Sequence, residues 1–158
     1  MFDTLEVAMS FEEKVTWVNA VVTVVATLWY AGTVGGQVGG VPVSEIAYHR
    51  PMLFAVGAMI VFTIAGTIAV AIASAIRAEI TGEGSVDDID RKDERDERIG
   101  GRGDRASYVV SSVLMVGALA LVMLERPHFW IANAMFAAFV AAGLVGAGVK
   151  LVTYRRGF

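Results

Sequence analysis

Hydrophobic residues in this chain form four long blocks, separated by segments that are polar or rich in glycine. The blocks cover residues 15–34, 52–76, 106–124 and 129–149, and none contains an Asp, Glu, Lys, Arg or His. Each block is close to the length of about 20 residues with which an α-helix spans the hydrocarbon core of a bilayer. The pattern therefore predicts an all-α fold, a four-helix transmembrane bundle that forms a single domain over residues 1–158.

Residues at the block boundaries indicate where the helices begin. Ser10 followed by Glu13 is a capping box, and Pro51 and Pro127 stand where the first turn of a helix tolerates proline. We expect helices near residues 12–36, 51–78, 105–125 and 127–153, with a charged loop over 79–105.

The composition agrees with a membrane protein and argues against several other kinds of protein. The chain is 56% hydrophobic, has a mean hydropathy of +0.61 and contains no cysteine. Without cysteine it forms neither disulfides nor thiolate metal sites. The net charge of -3 argues against a nucleic-acid partner, because phosphates require clustered Lys and Arg. The expected partner is the lipid bilayer.

The distribution of basic residues predicts the orientation. Four crossings place both termini and the middle charged loop on one side of the membrane. The other side carries only Arg50 and Arg126 of the 13 basic residues. The positive-inside rule then predicts that the termini and the charged loop are cytoplasmic. We expect the membrane to be the plasma membrane.

Aromatic residues cluster at both ends of the blocks, as interfacial belts do. The cytoplasmic ends carry Trp17, Tyr108 and Tyr154, and the outer ends carry Trp29, Tyr30, Tyr48 and Trp130. This distribution supports the same four spans.

The second and fourth blocks resemble each other and suggest a duplicated helical hairpin. Aligning the Arg-Pro pairs at 50–51 and 126–127 superimposes Ala58 on Ala134, Met59 on Met135 and Ala65 on Ala141. The halves would be parallel repeats. Alanine-rich segments also align by chance, so both explanations stay open.

Small residues recur at every fourth position in three blocks, a spacing that lets helix backbones approach closely. The ladders are Thr23, Thr27, Ala31 and Gly35; Ala65, Ala69 and Ala73; and Ala134, Ala138, Ala142 and Gly146. Packing inside the bundle is the first interpretation, and a homo-oligomer interface is the second.

Most charges of the chain lie between residues 77 and 106. Opposite charges four apart, such as Glu94 with Arg98, support a short surface helix, which Gly100, Gly101 and Gly103 are expected to end. The segment is either a solvated linker or a docking surface for a membrane or cytoplasmic protein partner. The candidate docking residues are Asp93, Glu94, Arg95, Asp96, Arg98 and Ile99.

The run Asp93-Glu94-Arg95-Asp96, followed by Ile99 and a small-residue helix start at Ala106, resembles a family segment. It is similar to the Asp-Glu-Arg segment that small uncharacterised four-helix integral membrane proteins of bacteria and archaea carry in the cytoplasmic loop between helices two and three. The resemblance implies topology more than function, and the three glycines depart from the family's pattern.

Candidate chemistry is sparse. His49 and His128 lie on the outer side at the starts of helices two and four, with Glu45 and Glu125 nearby. One interpretation is a haem or metal site, and the other is that the histidines simply lie among lipid headgroups. Proton-coupled transport would need an ionisable group such as a carboxylate within a block, and no block contains an Asp, Glu, Lys, Arg or His. Hydrolysis by Ser107 would need a histidine as base on the same side of the membrane, and both histidines are predicted on the other side.

These observations favour a protein without enzymatic activity or cofactor. We expect an accessory or regulatory membrane subunit that engages a partner through its charged loop. The alternative is a small transporter or permease for a neutral or lipid-like solute, in which intramembrane Asn19 or Asn133 would contact the solute.

Overall fold

The structure, a computed structural model, describes residues 9–81 and 94–156. It is all-α in these residues and contains four long helices. They are α1 (Phe11–Gly35), α2 (His49–Thr81), α3 (Glu94–Met123) and α4 (His128–Arg156), with a short 3₁₀ helix at Val43–Glu45. Each of the four is long and apolar enough to cross a membrane, so the chain has the make-up of a multi-pass membrane protein.

The start of α1 is fixed by its cap. Ser10 is the N-cap residue, and its hydroxyl accepts a hydrogen bond of 3.2 Å from the backbone N–H of Glu13. The predicted capping residue is therefore confirmed. Pro51 lies in the first turn of α2, and Pro127 directly precedes α4, where its carbonyl accepts from the Trp130 N–H at 2.9 Å.

The beginning of α3 corrects one prediction. The three glycines at 100, 101 and 103 were expected to end a surface helix, but they lie inside α3, which runs without a break from Glu94 to Met123. A helical glycine costs about 1 kcal/mol relative to alanine, a penalty that packing against a neighbouring helix offsets here. The charged residues therefore extend a membrane helix instead of forming a separate one.

The helices pack in the order α2, α1, α4, α3. The packed pairs are α3 with α4, α1 with α2, and α1 with α4, whereas α2 and α3 form no such pair among the described residues. Helices α1 and α4 are the inner pair, and α4 is the more buried, since 28% of its apolar window is buried, against 11% for α1 and 6% for α2 and for α3. The row of helices is consequently open along the side where α2 and α3 would meet.

The main hydrophobic cluster lies at the end of the helices that contains the α1–α2 connection. Its buried members are Tyr30, Val34, Ile46, Tyr48, Ala55, Phe129 and Phe136. The ring of Tyr30 lies 4.9 Å from that of Phe136, and Tyr48 contacts Phe129 edge-on at 5.3 Å. Tyr30 and Tyr48 are therefore core residues, whereas Trp29 and Trp130 face outward as an interfacial belt would.

Large apolar side chains cover the outside of α2. Ile60, Ile64 and Ile68 are more than half exposed, and the same spacing of four continues through Ile72, Ile76 and Ile80. In water such a surface would be an aggregation hazard, but hydrocarbon is its natural solvent. The exposure pattern thus fits lipid contact along the whole length of α2.

Candidate functional sites at the two ends of the helices

The predicted docking residues lie on two opposite faces of one helix. We use the name charged segment for residues 94–105, the first three turns of α3. Glu94, Arg95 and Arg98 are exposed on it, and Arg98 pairs with Glu94 at 3.2 Å. Asp93 lies outside the described residues. The i,i+4 pair is the one that the sequence predicted.

The other two candidate residues face α4. The Asp96 carboxylate accepts a hydrogen bond of 2.9 Å from the Tyr154 hydroxyl, and the Ile99 side chain is completely buried. These residues therefore hold the charged segment against the end of α4. A partner that approaches from solvent would meet Glu94, Arg95 and Arg98 instead.

The same contact face continues toward the membrane. The Lys150 ammonium pairs with the Asp104 carboxylate at 2.8 Å, and the Ser107 hydroxyl donates to the Ala142 carbonyl at 2.7 Å. A Cβ atom added at Gly103 would lie 2.8 Å from the Gly146 carbonyl oxygen, so the two backbones are in close approach there. Contacts with α4 thus recur at four successive turns of α3, and the first three of these turns belong to the charged segment.

The sequence did not predict the anchoring side chains. Tyr154 was assigned to an interfacial belt and Lys150 to the topology signal, whereas both bond to the charged segment. The signal that identifies them is the ladder Ala138, Ala142, Gly146, because the same spacing of four continues to Lys150 and Tyr154.

The small-residue ladders have different environments. Ala138, Ala142 and Gly146 are buried, and Ser107 of α3 contacts both Ala142 and Gly146, so the packing interpretation is confirmed for these three members of their ladder, whereas Ala134 is half-buried. Ala65, Ala69 and Ala73 are exposed on α2, and Ala31 and Gly35 are exposed on α1. The predicted homo-oligomer interface remains a prediction.

The two histidines meet in one pocket at the opposite end. It has a volume of about 300 Å³ and is lined by Val43, Ser44, Tyr48, His49, Pro127, His128 and Phe129. The His49 ring stacks on Tyr48 at 4.0 Å. We call this space the histidine pocket. In residues 9–81 and 94–156 no group of three or more His, Cys, Asp or Glu could hold a metal ion.

Apolar grooves run along the helices between the two ends. One groove of about 560 Å³ separates α2 from α4, with Met52, Val56 and Met59 on one wall and Phe136 and Val140 on the other. We call it the α2–α4 groove. Similar grooves of about 650 Å³ and 640 Å³ lie between α3 and α4 and between α1 and α2.

Polar side chains within the spans are partly used for packing. The Tyr30 hydroxyl donates to the Asn133 side-chain oxygen at 2.8 Å, which links α1 to α4, and the Asn133 amide donates to the Phe129 carbonyl. The buried side-chain oxygens of Asn19 and Thr27 have no hydrogen-bond partner among the described residues. Of the two candidate asparagines, Asn133 is thus committed to structure.

Comparison with family models, curated proteins and solved structures gives no match to this chain. The resemblance of residues 93–96 to small four-helix membrane proteins therefore stands on the residues alone. The structure agrees with this resemblance in one respect, since four of its helices are long and apolar enough to cross a membrane.

Proposed function

We propose that this protein is a non-enzymatic accessory or regulatory membrane subunit that binds a protein partner through the exposed face of the charged segment. The proposal is supported above all by the anchoring of this segment, because Asp96 and Ile99 hold it on α4 while Arg95, Glu97 and Arg98 remain exposed. Basic residues dominate this end of the helices, which favours the cytoplasm as its location.

A preformed helix is a better docking surface than a flexible loop. A loop loses conformational entropy when it is ordered by a partner, and that cost is subtracted from the affinity. The segment here is already ordered by a buried side chain, the Tyr154–Asp96 hydrogen bond and the Lys150–Asp104 ion pair. Little further ordering is needed when a partner binds.

The charge pattern favours selective recognition of a protein. Acidic and basic side chains alternate on the exposed face, and the Glu94–Arg98 pair is solvated on both sides, so its own contribution to stability is small. Such pairs exchange partners at low cost. Complementary charges across an interface raise the association rate and reject wrong partners. A partner with a matching mixed-charge helix fits this surface.

The test is a charge swap that spares the anchoring contacts. In Arg95→Glu with Glu97→Lys, the net charge and the Asp96–Tyr154 bond are unchanged, whereas the charges at these two exposed positions are reversed. The amount of partner that is recovered with the purified protein in mild detergent should fall at least about tenfold, which corresponds to a loss of about 1.4 kcal/mol in binding free energy. Quantitative mass spectrometry of the purified complex measures it.

A matched control places the same two exchanges at the other end, as Glu45→Lys with Arg126→Glu. This variant should retain the partner. A photo-crosslinking residue introduced at Glu97 should form an adduct of defined mass, and one at Glu45 should form none. Equal recovery of partner from the two swapped variants would refute docking through the charged segment.

A small permease for a neutral or lipid-like solute is the second candidate. It is favoured by the buried oxygens of Asn19 and Thr27, which lack a protein donor among the described residues and are therefore available to a solute. Flux of such a solute into proteoliposomes should fall with Asn19→Ala and persist with Ser112→Ala, an exposed position on α3. Flux that is equal in both variants would remove this candidate.

A further inference from the structure

Two cavities with different chemistry lie about one helical turn apart along α2 and α4. The histidine pocket presents the Ser44 hydroxyl and two imidazoles, His49 and His128. The α2–α4 groove is lined almost wholly by hydrocarbon side chains, beginning with Met52 on α2 and Ala132 on α4. The first cavity lies at the ends of the helices and the second lies beside their apolar spans.

The two cavities follow one another along the same helix faces. Met52 comes three residues after His49, and Ala132 comes three residues after Phe129, so each step is one helical turn of about 5 Å. On α2 the lining continues through Val56 and Met59, which keeps it on the face that bears His49. A single elongated molecule could occupy both cavities.

The length of the groove indicates which molecule this is. From Ala132 to Gly143 the α4 wall extends for roughly 16 Å at 1.5 Å per residue. This is about half of the 30 Å hydrocarbon core, the depth of one leaflet. A helix from a partner protein would need a groove across the whole core. The acyl chain of a lipid from the adjacent leaflet needs only this half.

The polar pocket suits a phosphate at the level of the headgroups. Imidazole N–H groups and a serine hydroxyl are donors to phosphate oxygens, and α2 and α4 both begin at the pocket with their positive dipole ends. Arg50, exposed next to His49, adds a positive charge. We propose that the histidine pocket and the α2–α4 groove together form a phospholipid-binding site, with phosphate at the imidazoles and one acyl chain in the groove.

The experiment compares two lipids that differ only in their headgroup. Purified, delipidated full-length protein is titrated in mild detergent with dioleoyl phosphatidylglycerol or with dioleoylglycerol, and bound lipid is counted by native mass spectrometry. The wild type should bind the phospholipid at least about tenfold more tightly. A phosphatidylglycerol analogue with a diazirine on its acyl chain should crosslink to the α2–α4 groove.

Two variants separate the headgroup from the chain. His49→Ala with His128→Ala should reduce phosphatidylglycerol affinity about tenfold and leave dioleoylglycerol binding unchanged, which also shows that the groove is folded. Gly143→Phe should block both lipids by filling the groove. Gly148→Phe is the matched control and should bind like the wild type, because Gly143 and Gly148 both have open space around them.

Three results would overturn the site. They are equal affinity of the wild type for the two lipids, crosslinks confined to the α1–α2 groove, and unchanged phosphatidylglycerol binding by the Gly143→Phe variant. Inorganic phosphate alone should neither stabilise the protein nor displace the lipid. Stabilisation by phosphate equal to that by phosphatidylglycerol would point to a free-anion site instead.

Discussion

Two glycines allow α3 and α4 to approach each other closely. A Cβ at Gly103 would contact the Lys150 side chain and the Gly146 carbonyl, and a Cβ at Gly146 would contact the Ser107 hydroxyl. Neither position has room for a larger residue unless the helices separate. Close backbone approach of this kind is how helices gain packing energy in a lipid environment, where the hydrophobic effect does not drive their association.

Gly103→Val should therefore destabilise the protein by about 1–3 kcal/mol, the usual cost of overpacking a fitted contact. The apparent melting temperature of the purified protein, followed by tryptophan fluorescence in mild detergent, measures the effect. Gly101→Val is the control, because Gly101 lies on the same helix with nothing within 4 Å. Equal melting temperatures for the two variants would show that α3 and α4 do not touch at Gly103.

The hydrogen bond between Tyr30 and Asn133 gives a second prediction at the same scale. Tyr30→Phe removes the donor and leaves the Asn133 side-chain oxygen without it, at a cost of about 0.6 kcal/mol, the average for such bonds between membrane helices, and at most about 1.7 kcal/mol. Tyr108→Phe, which removes a hydroxyl from a side chain that is 73% exposed, should leave the melting temperature unchanged. A loss of stability in the control alone would contradict this assignment.

Among the elements, α3 departs most from its sequence-based expectation. Three glycines within four residues predicted a helix end, yet Ile99, Gly103 and Ser107 repeat every four residues and face α4. The stabilising partners lie 35 to 58 residues later in the chain, and no local pattern reveals them. By contrast, the start of α1 depends on neighbours in sequence, Ser10 and Glu13, and could be predicted.

Thiol reactivity along the charged segment tests its helical state, and the chain has no native cysteine to interfere. Single cysteines at Arg95, Arg98 and Gly101 should react rapidly with a maleimide, because these positions are exposed. A cysteine at Ile99 should react at least about tenfold more slowly, since this side chain is completely buried. Uniformly fast reaction at all four positions would indicate a loop.

At the scale of the whole molecule, the four spans were predictable because hydrocarbon imposes a length and excludes charge. The order in which the helices pack was not predictable, because α2 and α4 are similarly apolar on all faces. They differ in which helices they pack against, and the sequence does not reveal this. The same holds for the candidate sites. The sequence placed His49 and His128 at one end of the helices, but their convergence on a single pocket required the tertiary structure.

The orientation in the membrane is the prediction on which the cytoplasmic location of the charged segment depends. A cysteine at Gly39 should react with a membrane-impermeant maleimide in intact cells, and one at Gly101 should react only after permeabilisation, as the excess of basic residues indicates. Mass-tag shifts on a denaturing gel measure both. The reverse pattern would place the charged segment outside the cell.

The unbroken course of α3 has a mechanical consequence. Its 30 residues form a rod of about 45 Å from the exposed charges at Glu94 to Met123, which is long enough to cross a bilayer. A loop within this rod would absorb a push or a twist. A continuous helix carries it along its length, so a displacement at Glu94 reaches the contact with α4 at Gly103 and Ser107.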